Sequence, residues 1–334
     1  MADDGLSGSL MKALTLALIL VRWLHLSASI LLASLFLFEA AILLPTMRKP
    51  SAGEGHLLET IHRLTCRTAL WTVLVALMSW FAWSWLVASA MSGDDLLQCL
   101  QSGDWWTVLT GTHFGSIWLF RAIIGLIFGI ILWVVASTSG KPSFLQTILA
   151  GLSVIQLVSL VWAGHATASP GPFEVVHVLA DALHLLTSAF WPGALVPLAA
   201  VLLLLLKSSR VEVIVLAAPL VRRFSASSLI AVAGMAFTGM LNSIFMVGSF
   251  RAMVTSAYGQ ILAAKLILFC AMIGLGAWNL FLLKPRITVD LPIASLGQKS
   301  ALLLLLRNVL WEIGLGTIVL LIVGLLGITP PPMR

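Results

Sequence analysis

The chain has 334 residues, of which 60% are apolar and only 10% are charged. A soluble domain carries about 25% charged residues, so soluble enzymes, disordered proteins and nucleic-acid-binding domains are excluded as default classes. The formal net charge of +6 is attributed to basic residues in short loops on one side of a membrane. The cysteines Cys66, Cys99 and Cys270 form no CxxC pair and indicate neither a disulfide framework nor a thiolate cluster.

Eight apolar segments are long enough to cross a bilayer, which takes about 20 residues in a helix. Because these segments are continuously apolar rather than alternating, they favour helices over a β-barrel. We predict an all-α, multi-pass membrane protein with a short tail at residues 1–10 and a single eight-helix domain at residues 11–329. The predicted spans are residues 11–44, 65–91, 112–137, 144–165, 175–206, 224–250, 258–283 and 301–328. The connections near residues 45–64 and 92–111 are predicted to be the longest loops.

The loops differ strongly in basic residues. Cytoplasmic loops of membrane proteins carry an excess of Lys and Arg. The first, third, fifth and seventh loops hold eleven of them, whereas the other side holds three, namely Lys12, Arg251 and Arg334. We therefore expect the odd-numbered loops to be cytoplasmic and both termini to be periplasmic. The chain has no phosphate-binding glycine motif, which argues against an ATP-driven pump.

Ionisable side chains within the spans are costly in lipid and are usually functional. They are Arg22, His25, Glu39, Arg121, His165, His177, Asp181, His184, Lys265 and Glu312. The predicted orientation brings five histidines to the outer half of the membrane or its outer surface: His25, His113, His165, His177 and His184. The other two, His56 and His62, are predicted to lie in the first cytoplasmic loop.

The most specific motif is HVLADALH in the fifth span. Its residues His177, Asp181 and His184 follow at i, i+4 and i+7, so they share one face of a helix. Asp181 can share a metal ion with either histidine, whereas the two histidines alone are too far apart for one ion. The motif therefore predicts either two stations along a path or one site completed by other helices. Asp181 can instead orient a ligating imidazole, and a purely structural polar cluster is the alternative.

Thioether sulfur favours Cu(I), while imidazole suits copper, zinc, iron and nickel. Met91, Met240, Met246 and Met253 are predicted near the outer ends of the second and sixth spans. Methionine is also an ordinary apolar filler in helices.

Three other charged residues have simpler interpretations. Arg22 is predicted either to reach the membrane interface or to pair with Asp181. Lys265 is predicted to extend outward, and Glu312 is interpreted as an anchor at the cytoplasmic interface. In the fifth span, Pro192, Gly193 and Pro197 predict an interruption of the helix.

Several segments resemble the bacterial copper-resistance D family (CopD or PcoD). The clearest stretch is residues 221–331, with RRFSASSLIAVAGMAFTGMLNSIF ending in Gly-x-x-Asn, AYGQILAAKLILFCAMIGLGAWNLF with a Tyr-Gly-x-x-Leu-x-x-Lys pattern, and LRNVLWEIGLGTIVLLIVGLLGITPPP. RWLHLSASILLASLF, WAGHA and HVLADALHLLTSAFWPGALVPL resemble the histidine-bearing helices of the family. The sequence departs at His184, where many family members carry Trp.

The resemblance implies a bacterial inner-membrane protein that handles copper and moves it toward the cytoplasm rather than catalysing a reaction. It also implies lipid and copper as partners, together with a periplasmic CopC-like copper-binding protein, and no nucleic acid. From the residues, the candidate metal ligands are His25, His113, His165, His177, Asp181 and His184. The alternative functions are a b-type cytochrome, with haem held by His25 and His184 or by His165 and His177, and a sensor or assembly factor that binds metal without moving it.

Overall fold

The computed structural model describes residues 2–47, 52–138, 143–163, 174–208, 215–287 and 296–332. Within these ranges there is no β-strand, and eight helices are long and apolar enough to cross a membrane, which confirms the predicted class and number of spans. The first helix begins at Ala2, so the predicted tail is helical. The main helices are Ala2–Phe38, Ala52–Ser92, His113–Ser137, Ser143–Val158, Glu174–Ser188, Leu195–Lys207, Ala217–Val247, Ala257–Trp278 and Leu296–Leu326. Glu174–Ser188 and Leu195–Lys207 together form the fifth span.

Short helical elements extend or connect the spans. A π-helical turn, Glu39–Leu43, and a short helix, Leu44–Thr46, prolong the first span, and a 3-10 turn, Ser159–Ala163, prolongs the fourth. The π turns Ala189–Gly193 and Asn279–Leu283 lie in the fifth and seventh spans, and Lys284–Ile287 ends the seventh. Leu96–Gln101, Asp104–Gly111 and Phe250–Thr255 are short connecting helices. The predicted loop near residues 92–111 therefore contains two helices.

The second span begins well before residue 65, which corrects the predicted first loop. The helix extends back to Ala52 because Leu57 and Ile61, one turn apart, are buried in an apolar core with Leu43 and Leu202. His56 and His62 therefore lie in a helix rather than in the predicted loop. For the same reason the sixth span begins at Ala217 rather than at residue 224: Leu220, Val221 and Phe224 pack into that core.

The first span lies at the centre of the bundle. It packs against the second, fourth, fifth and eighth spans. One apolar core joins the first, second, fifth, sixth, seventh and eighth spans, and a second core joins the first four. Because the first span contributes to both cores, its polar residues can contact helices of either core.

The predicted interruption of the fifth span is confirmed. Pro192 lies inside the π turn Ala189–Gly193, where a proline cannot donate the regular helical hydrogen bond. Gly193 allows the turn to approach the first span closely, since a Cβ there would overlap Ser34 Oγ and lie 2.8 Å from Ile30 Cγ2. The fifth span thus packs tightly against the first span at Gly193, nine residues after His184.

Candidate functional site

A cavity of about 230 Å³ lies among seven of the eight spans, and we call it the histidine cavity. Its polar lining residues are Arg22, His177, Asp181, His184, Asn242, Ser243, Tyr258 and Lys265. The HVLADALH motif supplies three of them from the fifth span, so the predicted common face of His177, Asp181 and His184 is confirmed. Every side chain capable of chemistry in that motif therefore faces one space.

The three motif residues are held by the sixth span. The His177 ring stacks on Phe245 at 4.7 Å between centroids, and His177 is buried. Asn242 Nδ2 donates to Asp181 Oδ1 at 2.5 Å. These contacts orient the face of the fifth span toward the cavity.

The orientation of His184 determines which ring nitrogen is available. His184 Nδ1 lies 3.0 Å from Thr238 Oγ1, and that hydroxyl donates to the carbonyl oxygen of Gly234 at 2.7 Å. Because the hydroxyl hydrogen is used in this way, Oγ1 accepts from Nδ1–H, and the lone pair of His184 is on Nε2. A histidine fixed in one tautomer by a second hydrogen bond is the usual arrangement of a metal ligand.

The sixth and seventh spans add residues that sequence reasoning did not assign to a site. Asn242 Oδ1 is buried without a hydrogen-bond partner among the described residues, and Tyr258, the only tyrosine of the chain, lines the same cavity. A buried acceptor without a donor is costly, so the amide oxygen of Asn242 is a candidate ligand atom in this cavity. The signal for these residues was present in the family patterns, since Gly-x-x-Asn ends at Asn242 and Tyr-Gly-x-x-Leu-x-x-Lys begins at Tyr258.

Two basic side chains also reach the histidine cavity. Lys265, predicted to extend outward, instead lines it together with Asp181. Arg22 lines it as well, with its guanidinium carbon 4.5 Å from the centroid of the Trp83 ring. A Cβ at Gly327 would overlap this guanidinium, so the eighth span leaves room for Arg22. The cavity therefore holds one carboxylate and two basic groups beside its imidazoles.

His25 is fully buried against the second and third spans, with its ring centroid 5.6 Å from that of Trp83 and 5.7 Å from that of Trp118. Its Nδ1 lies 3.0 Å from Ser79 Oγ and 3.2 Å from the carbonyl oxygen of Ala76, and Arg121 Nη2 donates to Nε2 at 2.7 Å. Both ring nitrogens are thus engaged within the protein. His25 does not line the histidine cavity, and the structure separates it from His177 and His184.

The other two predicted histidines do not join the motif in the described structure. His113 is the exposed first residue of the third span and does not line the cavity. His165 lies outside the described residues. Over the described ranges, no group of three His, Cys, Asp or Glu side chains is close enough to hold one metal ion. The motif residues are therefore spaced along the cavity rather than gathered around a point.

A larger cavity of about 710 Å³ shares His184 and Lys265 with the histidine cavity. Its lining contains four methionines and one cysteine, namely Met235, Met240, Met253, Met272 and Cys270. Of the predicted methionines, Met240 and Met253 line this cavity, Met246 lines the histidine cavity, and Met91 is exposed. His184 therefore stands between imidazole-rich and sulfur-rich spaces.

Glu312 is not at the interface, which corrects the interpretation as an anchor. It is buried, and it accepts a hydrogen bond of 2.7 Å from Asn279 Nδ2; Asn308 Nδ2 in turn donates to Asn279 Oδ1 at 2.9 Å. The π turn at Asn279 turns this amide toward the eighth span. These residues lock the seventh and eighth spans together.

Two family models match the chain. The model of the copper resistance protein D-like N-terminal domain matches residues 11–175, and the model of copper resistance protein D matches residues 218–326. No solved structure matches.

Three curated relatives are similar over different extents. Copper resistance protein D of Pseudomonas syringae pv. tomato is 33% identical over 60% of this chain, and the match spans 63% of that protein, less than two thirds. Inner membrane protein YebZ of Escherichia coli (strain K12) is 26% identical over 94% of this chain and 98% of that protein. Copper transport protein CutJ of Bacillus subtilis (strain 168) is 37% identical over 39% of this chain and 23% of that protein.

The two models cover both halves of the eight-span chain, and residues of both halves line the histidine cavity. The expected resemblance is thereby confirmed. The chain belongs to the copper resistance protein D family.

Proposed function

We propose that this protein carries copper across the bacterial inner membrane, with both termini periplasmic, and that the histidine cavity captures the ion. The observation that carries the proposal is the shared orientation of His177, Asp181 and His184 into one cavity inside a membrane-spanning bundle. Ionisable residues inside a membrane-spanning bundle are costly, and those that line a cavity often mark ion pathways. The names of the relatives, copper resistance and copper transport, support copper as the cargo.

The donor atoms that line the two cavities suit copper, and they become softer from the histidine cavity to the larger cavity. Nε2 of His184 and the carboxylate of Asp181 offer borderline and hard ligands, and Met246 adds a thioether. Beyond His184 the larger cavity is lined with thioethers, which are soft ligands that select Cu(I). We infer that copper enters at the histidine motif and passes His184 into the methionine-lined cavity. In this route His177 and His184 are separate stations.

His25 is left out of this ligand set, because a metal at Nε2 would have to displace Arg121. His113 and His165 lie at the predicted outer ends of the third and fourth spans, and we propose that they deliver copper to the cavity. A CopC-like periplasmic protein is the proposed donor. The excess of basic residues in the odd-numbered loops supports the orientation used here, with those loops in the cytoplasm.

Transport into proteoliposomes tests the proposal. The purified protein is reconstituted, Cu(I) is supplied outside under anaerobic conditions, and a chromophoric Cu(I) chelator inside the vesicles reports arrival. We expect copper entry to be at least about tenfold slower in the His177→Ala/His184→Ala variant. A tenfold change corresponds to roughly 1.4 kcal/mol. The matched control is His56→Ala, which removes an exposed histidine far along the second span from the cavity.

Two results would contradict the proposal. Equal entry with the double variant would remove the motif from the route. Copper binding by the wild type without any entry would instead favour the sensor or assembly-factor function.

A further inference from the structure

A second group of side chains of metal-ligating types lies away from the histidine cavity. Glu39 Oε1 accepts a hydrogen bond of 2.9 Å from His62 Nδ1, and Cys66 Sγ lies 3.5 Å from His62 Nε2. All three residues are buried, with 4–6% of their surfaces exposed. We call them the Glu39 cluster.

The helices place this cluster near the opposite end of the first span. Glu39 follows Arg22 by seventeen residues, or about 25 Å along a helix, and Arg22 lines the histidine cavity. Glu39 begins the π turn that prolongs the first span. His62 and Cys66, one turn apart in the second span, present their side chains on one face toward it.

The hydrogen bonds prepare His62 to bind a metal. In neutral His62, donation of Nδ1–H to the Glu39 carboxylate leaves the lone pair on Nε2, which accepts a hydrogen bond from the thiol of Cys66. A carboxylate behind an imidazole is the usual support of a metal-ligating histidine. The second oxygen, Oε2 of Glu39, is buried without a hydrogen-bond partner among the described residues. A buried acceptor without a donor leaves the cluster short of positive charge.

The separation of the two ligand atoms fits a bound ion. A metal about 2.0–2.1 Å from an imidazole nitrogen and about 2.3 Å from a thiolate sulfur, at a tetrahedral angle, holds those atoms about 3.5 Å apart. His62 Nε2 and Cys66 Sγ already have that separation. This separation suits an ion bound at a bent angle. A linear two-coordinate ion with the same bond lengths needs about 4.4 Å, so the two side chains would move apart by about 0.9 Å to bind it. Thiolate is a soft ligand that suits Cu(I) as well as zinc. We take copper as the ion because it is the cargo of the proposed function, and Cu(I) accepts the low coordination number that two protein ligands supply.

We propose that His62 and Cys66 form a second Cu(I) site, the station from which copper leaves the membrane. The proposal rests on the proposed transport function. Binding forms Cu–N and Cu–S bonds and breaks the S–H bond of Cys66; copper stays Cu(I), and the thiol proton is accepted by Oε2 of Glu39. Glu39 acts through His62 and is a positioning residue.

Anaerobic titration of the purified full-length protein against a chromophoric Cu(I) chelator tests this site, with ultraviolet thiolate-to-copper charge transfer as a second readout. We expect two Cu(I) ions per wild-type chain. Cys66→Ala should lose one ion and the charge-transfer band, while the control Cys99→Ala, at another buried cysteine outside the cluster, should keep both. Glu39→Gln retains both ligands, so we expect binding at this site to weaken by about 10- to 100-fold.

The outcomes separate this site from the proposed function. Two results would overturn the second site alone. In one, the charge-transfer band survives in Cys66→Ala. In the other, the wild-type chain binds one ion, and only His177→Ala/His184→Ala loses it. A band retained in that double variant and lost in Cys66→Ala supports it even if the histidine cavity binds nothing. A wild-type protein that binds no Cu(I) overturns both. Should Cys66→Ala fail to fold, His62→Gln must remove the same ion and band.

Discussion

Arg121 donates from Nη2 to Nε2 of His25 at 2.7 Å, and both side chains are fully buried. The guanidinium also donates from Nη1 to Ser159 Oγ at 2.5 Å and to the carbonyl oxygen of Gln156 at 2.6 Å. The first, third and fourth spans are thus joined by one arginine. A charge at this depth is costly, and hydrogen bonds from Nη1 and Nη2 offset that cost, whereas Nε has no partner among the described residues. His25 is therefore best understood as a partner of Arg121.

His25→Ala removes one acceptor from the buried guanidinium. We expect a loss of about 1.5–3 kcal/mol, the usual worth of a hydrogen bond to a charged group, seen as a lower Tm in detergent. Copper stoichiometry of the folded variant should not change. The exposed His56→Ala serves as control and should leave Tm unchanged. Loss of a copper ion at unchanged Tm would restore His25 as a ligand.

Lys265 shares the histidine cavity with Asp181 and His184, so its positive charge opposes a copper ion bound there. Lys265→Met keeps the apolar stem and removes the charge. We expect copper to bind the cavity about ten- to hundredfold more tightly, the scale of one charge interaction at an effective dielectric constant of about 20. Lys207→Met, at the exposed end of the fifth span, is the matched control. Weaker binding in Lys265→Met would show that Lys265 assists the ion instead.

The contact between Gly193 and the first span predicts a local stability effect. Gly193→Ala would press a methyl group against Ser34 and Ile30, and overpacking of this kind costs about 1–3 kcal/mol. Gly314→Ala is the control, because nothing lies within 4 Å of its added Cβ. In a helix Ala is favoured over Gly by up to about 1 kcal/mol. Thermal unfolding of both variants should thus shift in opposite directions, and equal shifts would contradict the close contact.

The cytochrome alternative makes a spectroscopic prediction. Haem held by His25 and His184 requires a free nitrogen on each ring, whereas both nitrogens of His25 are hydrogen-bonded. We therefore expect the purified protein to have no Soret band that depends on His25 or His184. A Soret band that disappears in His177→Ala would instead assign haem to that histidine and overturn the copper interpretation of the motif.

The spans were predictable because they depend on local quantities. The length of an apolar run and the width of a bilayer decide whether a helix crosses it, and neither requires knowledge of a neighbour. The face shared by His177, Asp181 and His184 also follows from helical periodicity alone. The start of the second span was missed because residues 52–64 are polar in composition, and only burial of Leu57 and Ile61 in the core makes them helical.

The partners of the polar residues were beyond sequence reasoning. Nothing in the spacing of Glu39 and His62, or of Asp181 and Asn242, distinguishes a contact from a chance occurrence. Helix packing decides those pairs, because each helix has one rotation that buries its polar groups against acceptors of another helix. Hydrophobic length thus determined from the sequence that this chain crosses the membrane eight times. Only the packing of those eight helices decided that His25 pairs with Arg121 while His177 and His184 face a cavity.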